Sequence, residues 1–256
     1  MKIARYRDNE SGEGRFGLIE DEGIYPVLGS PFEDQIEKGT TKLALSDVTL
    51  LAPCVPTKVV AGGTNYHGHI REMNLKLPSV PVFFLKPPTS VVGSDEAIEY
   101  PAETSRVEYE AELAVVIKRR MRRVAPEDVR ANILGYTCVN DVTARDIQAW
   151  GGNFLHLCHS KSFDTFCPTG PWIETDIDPG NLDMTLTVNG ETRQQTNTSD
   201  MIFSVEQMVS YFSHVMTLMP GDLVLTGTPA GVGQLQVGDV AELTIQGIGT
   251  LRNKVI

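Results

Sequence analysis

Long apolar runs are missing from this chain. No stretch of its 256 residues is apolar for long enough to span a bilayer as a helix. The N-terminal Met-Lys-Ile-Ala-Arg-Tyr-Arg-Asp also lacks the apolar core of a signal peptide. Cysteine is scarce. Cys54, Cys138, Cys158 and Cys167 form no Cys-x-x-Cys pair, so neither a zinc ribbon nor a disulfide framework is expected. Positive charge is in deficit, with 22 Lys and Arg against 33 Asp and Glu and a formal net charge of −11. Phosphate contacts need clustered Lys and Arg, and no basic stripe stands out, so no nucleic-acid partner is expected. There is no internal repeat and no low-complexity segment. The expectation is a reduced, cytoplasmic protein with no membrane attachment. Net acidity mostly concerns solubility, and a local metal can reverse the sign of the field an anionic substrate meets.

What is present is an ordinary globular composition, 41% hydrophobic, with 15 prolines and 23 glycines marking many turns. Residues 1–52 read as a small β-rich module, with strands at Lys2–Arg7 and Arg15–Glu20 and a turn over residues 11–14. Pro53 and Pro56 punctuate a boundary, and residues 53–256 form the larger unit. Val59–Ala61 reads as a strand entering Gly62-Gly63. Asn65–Met73 reads as a short helix capped by Thr64 or Asn65. Ala125–Asn132 suits a helix with Pro126 in its first turn, Ile133–Asn140 a strand ending at Asp141, and Ser204–Met216 an amphipathic helix. From Asp222 the pattern is β again. The fold class is mixed α/β and β-dominated.

Three acidic residues stand out. Val107–Ile117 is rich in β-branched residues and reads as a strand, on which Glu110 and Glu112 point the same way. Like charges on one strand face repel, and carboxylates leaving water need partners. A cation resolves both problems, and all-oxygen ligation suits Mg²⁺, Mn²⁺ or Ca²⁺ rather than zinc; the plainer alternative is a wet strand edge. Asp141 opens Asn140–Gln148, where Arg145 and Gln148 follow at helical spacing, as they also would on a solvated helix behind a capping Asp. Lys161 sits near Phe163 and Phe166, and partial burial would lower its pKa; a surface lysine covering aromatics is the commoner case. His69 and Glu72 are three apart and can meet on a helix, as a general-base pair or as a routine surface pair. His67 and His69 diverge on a helix, and His156, Cys158 and His159 lack a second ligand pair. The Gly-rich turn from Leu225 to Gly233 is not a P-loop.

The order of these pieces is more specific than any one of them. Gly63-Thr-Asn-Tyr, His69, Glu72, Phe84-Leu-Lys-Pro87, Glu110-Ala-Glu-Leu113, the Asn140–Gln148 segment, Lys161-Ser-Phe-Asp164, Thr226–Gly233 and Gly247–Asn253 together resemble the fumarylacetoacetate hydrolase family, from about residue 53 onward. The resemblance implies a mixed β-sandwich roll, a homodimer, and a divalent metal, Mg²⁺ or Mn²⁺ with Ca²⁺ also admissible, held by Glu110, Glu112 and Asp141. It places Tyr66, Arg145, Gln148 and Thr228 against a small 2-oxo or dicarboxylic acid, with His69, Glu72 and Lys161 as catalytic groups. Glu108 precedes the motif and is left out. The implied reaction is hydrolysis of a C–C bond in a 2,4-dioxo acid through a metal-bound enolate. The alternatives are isomerisation of a 2-hydroxyhepta-2,4-diene-1,7-dioate type intermediate, decarboxylation of oxaloacetate, or a non-catalytic metal- or carboxylate-binding module. Thr64, His67 and the Gly151–Ser160 stretch depart from the usual family pattern near the pocket mouth.

Overall fold

The apolar run after the paired glutamates builds the centre of the molecule. The computed structural model describes residues 1–8, 12–152 and 155–256. Ser11, expected in the first turn, and Asn153 and Phe154 of the Gly151–Ser160 stretch lie outside the described residues. In chain order the principal elements are β1 (Lys2–Asp8), β2 (Gly14–Glu20), β3 (Gly23–Leu28), β4 (Val59–Gly63), α1 (His67–Glu72), β5 (Val82–Lys86), β6 (Val107–Tyr109), β7 (Ala111–Ile117), β8 (Ile133–Asn140), α2 (Arg145–Gln148) and α3 (Leu157–Lys161). They continue with β9 (Cys167–Glu174), β10 (Asp183–Val188), β11 (Glu191–Asn197), α4 (Val205–Val215), β12 (Leu223–Leu225), β13 (Val240–Ile245) and β14 (Gly249–Lys254).

Every residue of β7 is buried. The strand is covered on both faces, which is why its sequence is a continuous apolar run. Leu113, Val115 and Ile117 join the larger core, with Met184, Leu186, Leu243 and Leu251 of a second sheet and Met208 and Phe212 of α4. Ala114 and Val116 point the other way, into a core shared with Ile3, Val59, Ala61, Phe84 and Leu223. Glu110 and Glu112 have the parity of this second face, so the side that is apolar farther along becomes acidic at its start.

The main sheet runs β3-β2-β1-β9-β8-β7-β12-β4-β5, with only β12–β4 parallel along this path. The N-terminal strands continue the sheet of the larger unit, because β1 pairs with β9 at Lys2↔Glu174 and Ile3↔Ile173. The second sheet is β11-β10-β13-β14, and β6 pairs with short strands at Thr143–Ala144 and Gly233–Leu235. Together these give the β-dominated mixed fold expected from the sequence.

Three local expectations change. The Val107–Ile117 strand is broken at Glu110, whose N–H donates to Asn140 Oδ1 at 2.9 Å in place of a ladder bond. Ala125–Asn132 forms two 3₁₀ turns, Pro126–Asp128 and Arg130–Asn132, since so short a segment is marginal as an isolated α-helix. The expected cap of α1 also fails. Thr64 adopts a left-handed φ of 51°, and Asn65 turns inward to bond Phe203 and Thr226. Asp200, from a distant segment, accepts instead from Gly68 N–H at 2.8 Å. The α4 helix, in contrast, begins at Ser204 with a capping box to Gln207. One basic run does exist, Lys118 to Arg123 after β7, where Lys118 and Arg119 pair with Asp34. No described helix is long and apolar enough to cross a membrane.

A close approach of two strands yields a stability prediction. A Cβ on Gly135 of β8 would lie 2.4 Å from the Glu174 carbonyl oxygen in β9, against backbone rather than a yielding side chain. Gly135→Ala should therefore lower the unfolding free energy by about 2–3 kcal/mol, read from the urea midpoint at unchanged m-value.

Candidate active site

Glu110 and Glu112 stand at the start of β7 and Asp141 follows the end of β8. The two strands are antiparallel neighbours, with Ala111 opposite Asn140, so the three carboxyl groups converge. All three are buried, and one oxygen of each lies within 4.8 Å of the others. They form the sole cluster of possible metal ligands among the described residues. His156, Cys158 and His159 do not make one; His156 and His159 pack instead against Trp150.

Burial of so much negative charge requires nearby cations. Lys161 Nζ, at the end of α3, donates to Glu110 Oε2 at 2.7 Å and Asp141 Oδ2 at 2.6 Å. Lys86 Nζ, at the end of β5, donates to Asp141 Oδ1 at 2.5 Å. Arg145 bonds Glu110, Gln148 and Glu108, the last at 2.6 Å. Glu108, which the family pattern leaves out, is buried and holds Arg145, which lines the cavity into which the cluster opens. Lys86 and Glu108 escaped sequence reasoning. A lysine between Leu85 and Pro87 has no local signal of its role, because its partner is 55 residues away.

The charges leave one group short. Burial pushes Glu110 up, but Lys161 and then Arg145 outweigh it and hold its pKa at about 2. Burial likewise favours neutral Lys161, yet Asp141 and Glu110 raise its pKa above the ordinary value, reversing the lowering expected from the sequence. Glu112 makes no ion pair among the described residues. It accepts from Gly227 N–H at 2.6 Å, and burial, then Asp141 and Glu110, push its pKa well above the carboxylate range. Four buried carboxylates face buried Lys86 and Lys161, partly buried Arg145 and, on the other oxygen of Glu108, the exposed Arg106, and the local surplus falls on Glu112. A divalent cation among these oxygen donors fits that surplus, and its addition would leave a net positive site for an anionic ligand.

The cluster opens into a cavity of about 320 Å³, a size suited to a small molecule. His69, Glu110, Glu112, Arg145, Gln148, Lys161 and Thr228 line it. Met73, Leu75, Val82, Phe84 and Leu157 supply its apolar side. His69 Nδ1 lies 3.2 Å from Glu72 Oε2, so the two residues do meet on α1. Glu72 Oε1 also accepts from Gly231 N–H at 3.0 Å, tying α1 to the turn after β12. Asp141 does not line the cavity and accepts from both lysines. Tyr66 is fully buried, does not line the cavity, and its hydroxyl has no partner among the described residues.

Comparison with known proteins shows the family and the fold. Residues 58–256 match the fumarylacetoacetate (FAA) hydrolase C-terminal family, and residues 1–53 match the Rv2993c-like N-terminal family. A solved 5-carboxymethyl-2-hydroxymuconate delta-isomerase from Mycobacterium smegmatis superposes with TM-score 0.92 at 40% identity, covering 100% of this chain and 99% of that one. A 2-hydroxyhepta-2,4-diene-1,7-dioate isomerase from Mycobacterium marinum gives 0.91 at 42% identity, covering 100% and 98%. An oxaloacetate tautomerase, mitochondrial FAHD2A of Bos taurus, is 38% identical over 272 residues, or 96% of this chain and 86% of its own.

Glu112 carries a sign that can be checked. A carboxyl whose folded pKa is raised binds protons that the unfolded chain has lost, so its effect on stability worsens as pH rises above the ordinary value of 4.5. In the metal-free protein at pH 8, Glu112→Gln should raise the melting temperature by roughly 3–6 °C. Mg²⁺ or Mn²⁺ should raise the wild-type melting temperature and leave that of Glu112→Gln nearly unmoved. Equal metal responses in a thermal scan would remove Glu112 from the ligand set.

Proposed function

The chain belongs to the fumarylacetoacetate hydrolase family, and we propose that it catalyses proton transfer between the enol and keto forms of a small 2-oxo acid, as an isomerase or tautomerase. The observation that carries this reading is Lys161, buried and held between Glu110 and Asp141 in the same cavity as His69. The activities named for the isomerase and tautomerase relatives support it over the C–C hydrolysis that the resemblance first suggested.

Glu110, Glu112 and Asp141 would hold Mg²⁺ or Mn²⁺. Such an ion would supply a fixed double positive charge that favours the ionised form of an acidic oxo acid. Arg145, Gln148 and Thr228 bind and orient the carboxylate. Lys161 stays protonated because two carboxylates surround it, and its positive charge on the cavity wall stabilises negative charge as it gathers on the C2 oxygen. In the ketonising direction the enol O–H proton passes to His69 Nε2, the C2–O bond becomes a carbonyl, and the C2=C3 electron pair takes a proton back from Nε2 at C3, leaving His69 as it began. The Glu72 carboxylate favours a proton on His69 Nδ1, which leaves Nε2 to exchange a proton with substrate in the cavity. The apolar wall excludes water from the reacting carbons.

A second reading is hydrolysis of an acylpyruvate, and the His69–Glu72 pair favours it. Glu72 is more than one-third exposed, so a water molecule can reach the pair from the mouth of the cavity.

The two are separated by assaying the purified protein with Mn²⁺. Decay of enol-oxaloacetate absorbance and interconversion of 2-hydroxyhepta-2,4-diene-1,7-dioate should outpace acetylpyruvate cleavage by at least about tenfold. Faster acetylpyruvate cleavage would replace the isomerase reading with the hydrolase one. Lys161→Met should lower kcat by about 10²–10³ for every substrate. His69→Ala should lower proton transfer by a factor of about 10² or more, and an unchanged rate would take His69 out of the relay.

A further inference from the structure

We propose that Gln194, on β11 of the second sheet, is a positioning residue that forces the Thr228 hydroxyl to donate into the cavity. This rests on the reading of that cavity as a 2-oxo acid site. Gln194 is 1% exposed and does not line the cavity. Its Oε1 accepts from the Ala111 backbone N–H at 2.9 Å. Its Nε2 donates to Thr228 Oγ1 at 2.9 Å and to the Pro229 carbonyl at 3.0 Å.

The proton bookkeeping has one solution. A backbone N–H can only donate and a backbone carbonyl can only accept, so Ala111 and Pro229 fix which end of the Gln194 amide is oxygen and which is nitrogen. The amide N–H₂ therefore donates to Thr228 Oγ1. That hydroxyl, already an acceptor from Gln194, must send its single hydrogen elsewhere. Thr228 is 4% exposed, lines the cavity, and has no other side-chain partner among the described residues. The free direction is the cavity, where a donor faces an anion. A carboxylate oxygen of the oxo acid accepts there. An unconstrained threonine would instead be equally free to present a lone pair, which repels an anion. The bond to Ala111 lies between Glu110 and Glu112, so one side chain sets Thr228 in register with the carboxylate cluster.

The test is a double-mutant cycle on the full-length protein loaded with Mn²⁺. Pyruvate is the ligand, its binding is read by calorimetry, and KM and kcat are measured with enol-oxaloacetate. Thr228→Val and Gln194→Leu should each weaken pyruvate binding by about 10–100-fold, the scale of one hydrogen bond to a charged group. The double variant should be no weaker than the worse single one, because Gln194 acts through the hydroxyl that Thr228→Val removes. KM should rise far more than kcat falls. Losses that multiply in the double variant, or unchanged binding in Gln194→Leu, overturn the proposal. If Gln194→Leu does not fold, Gln194→Glu keeps the test open: its carboxylate would take the Thr228 hydrogen and should also weaken pyruvate, whereas wild-type affinity overturns the proposal. Wild-type protein that binds pyruvate but does not interconvert enol and keto forms would overturn the functional reading alone. Wild-type protein that binds no pyruvate would overturn both.

Discussion

Buried charge that is almost, but not quite, neutralised is the constraint on which this structure depends. Glu108, Glu110, Glu112 and Asp141 lie out of water beside Lys86, Lys161 and Arg145, with Arg106 reaching Glu108 from the surface. Each ion removed from water is costly, and mutual attraction offsets that cost only when geometry is close and every remaining lone pair has a donor. In three of the carboxylates each oxygen has a cationic donor. Glu112 has none, since its one bond is to the Gly227 backbone N–H. The shortfall is local, and a divalent cation would convert it into a small positive excess. That change of sign would let an acidic protein bind an acidic molecule.

The scaffold serves this balance in identifiable ways. The β7–β8 pairing brings Glu112 and Asp141 together, while the Asn140 side chain replaces the ladder bond at Glu110 and frees that residue from regular strand geometry. The second sheet does more than cover the core, because Gln194 reaches from it to both the start of β7 and the Thr228 turn. The helix carrying His69 has six residues, too few to be stable alone. Its position depends on Asp200 at one end and the Glu72–Gly231 bond at the other.

A floor of this kind does not dictate one reaction. Stabilised negative charge on an oxo acid is common to tautomerisation, decarboxylation and C–C cleavage, and the fold alone does not choose among them. The choice lies in what shares the cavity with the lysine. Here that is a histidine paired with one carboxylate, apolar side chains from Met73 to Phe84, and Thr228, whose hydroxyl accepts from Gln194.

Local pattern carried much of this. Period-two parity put Glu110 and Glu112 on one face, amphipathic spacing located α4, and three-residue spacing paired His69 with Glu72, since each depends on neighbours within a few residues. Motif order along the chain was enough to indicate the family. Other features depend on segments far apart in sequence. Lys86 meets Asp141 across 55 residues, Gln194 meets Ala111 across 83, and Asp200 caps Gly68 across 132. Those distances explain why Lys161 was expected to have a lowered pKa and is instead held charged: burial is legible from flanking aromatics, but the carboxylates that outweigh it arrive from other strands. The sequence by itself determined which side chains share a face. Only the tertiary structure decided which charges meet, because electrostatic balance is a property of positions in space and strand pairing sets those positions.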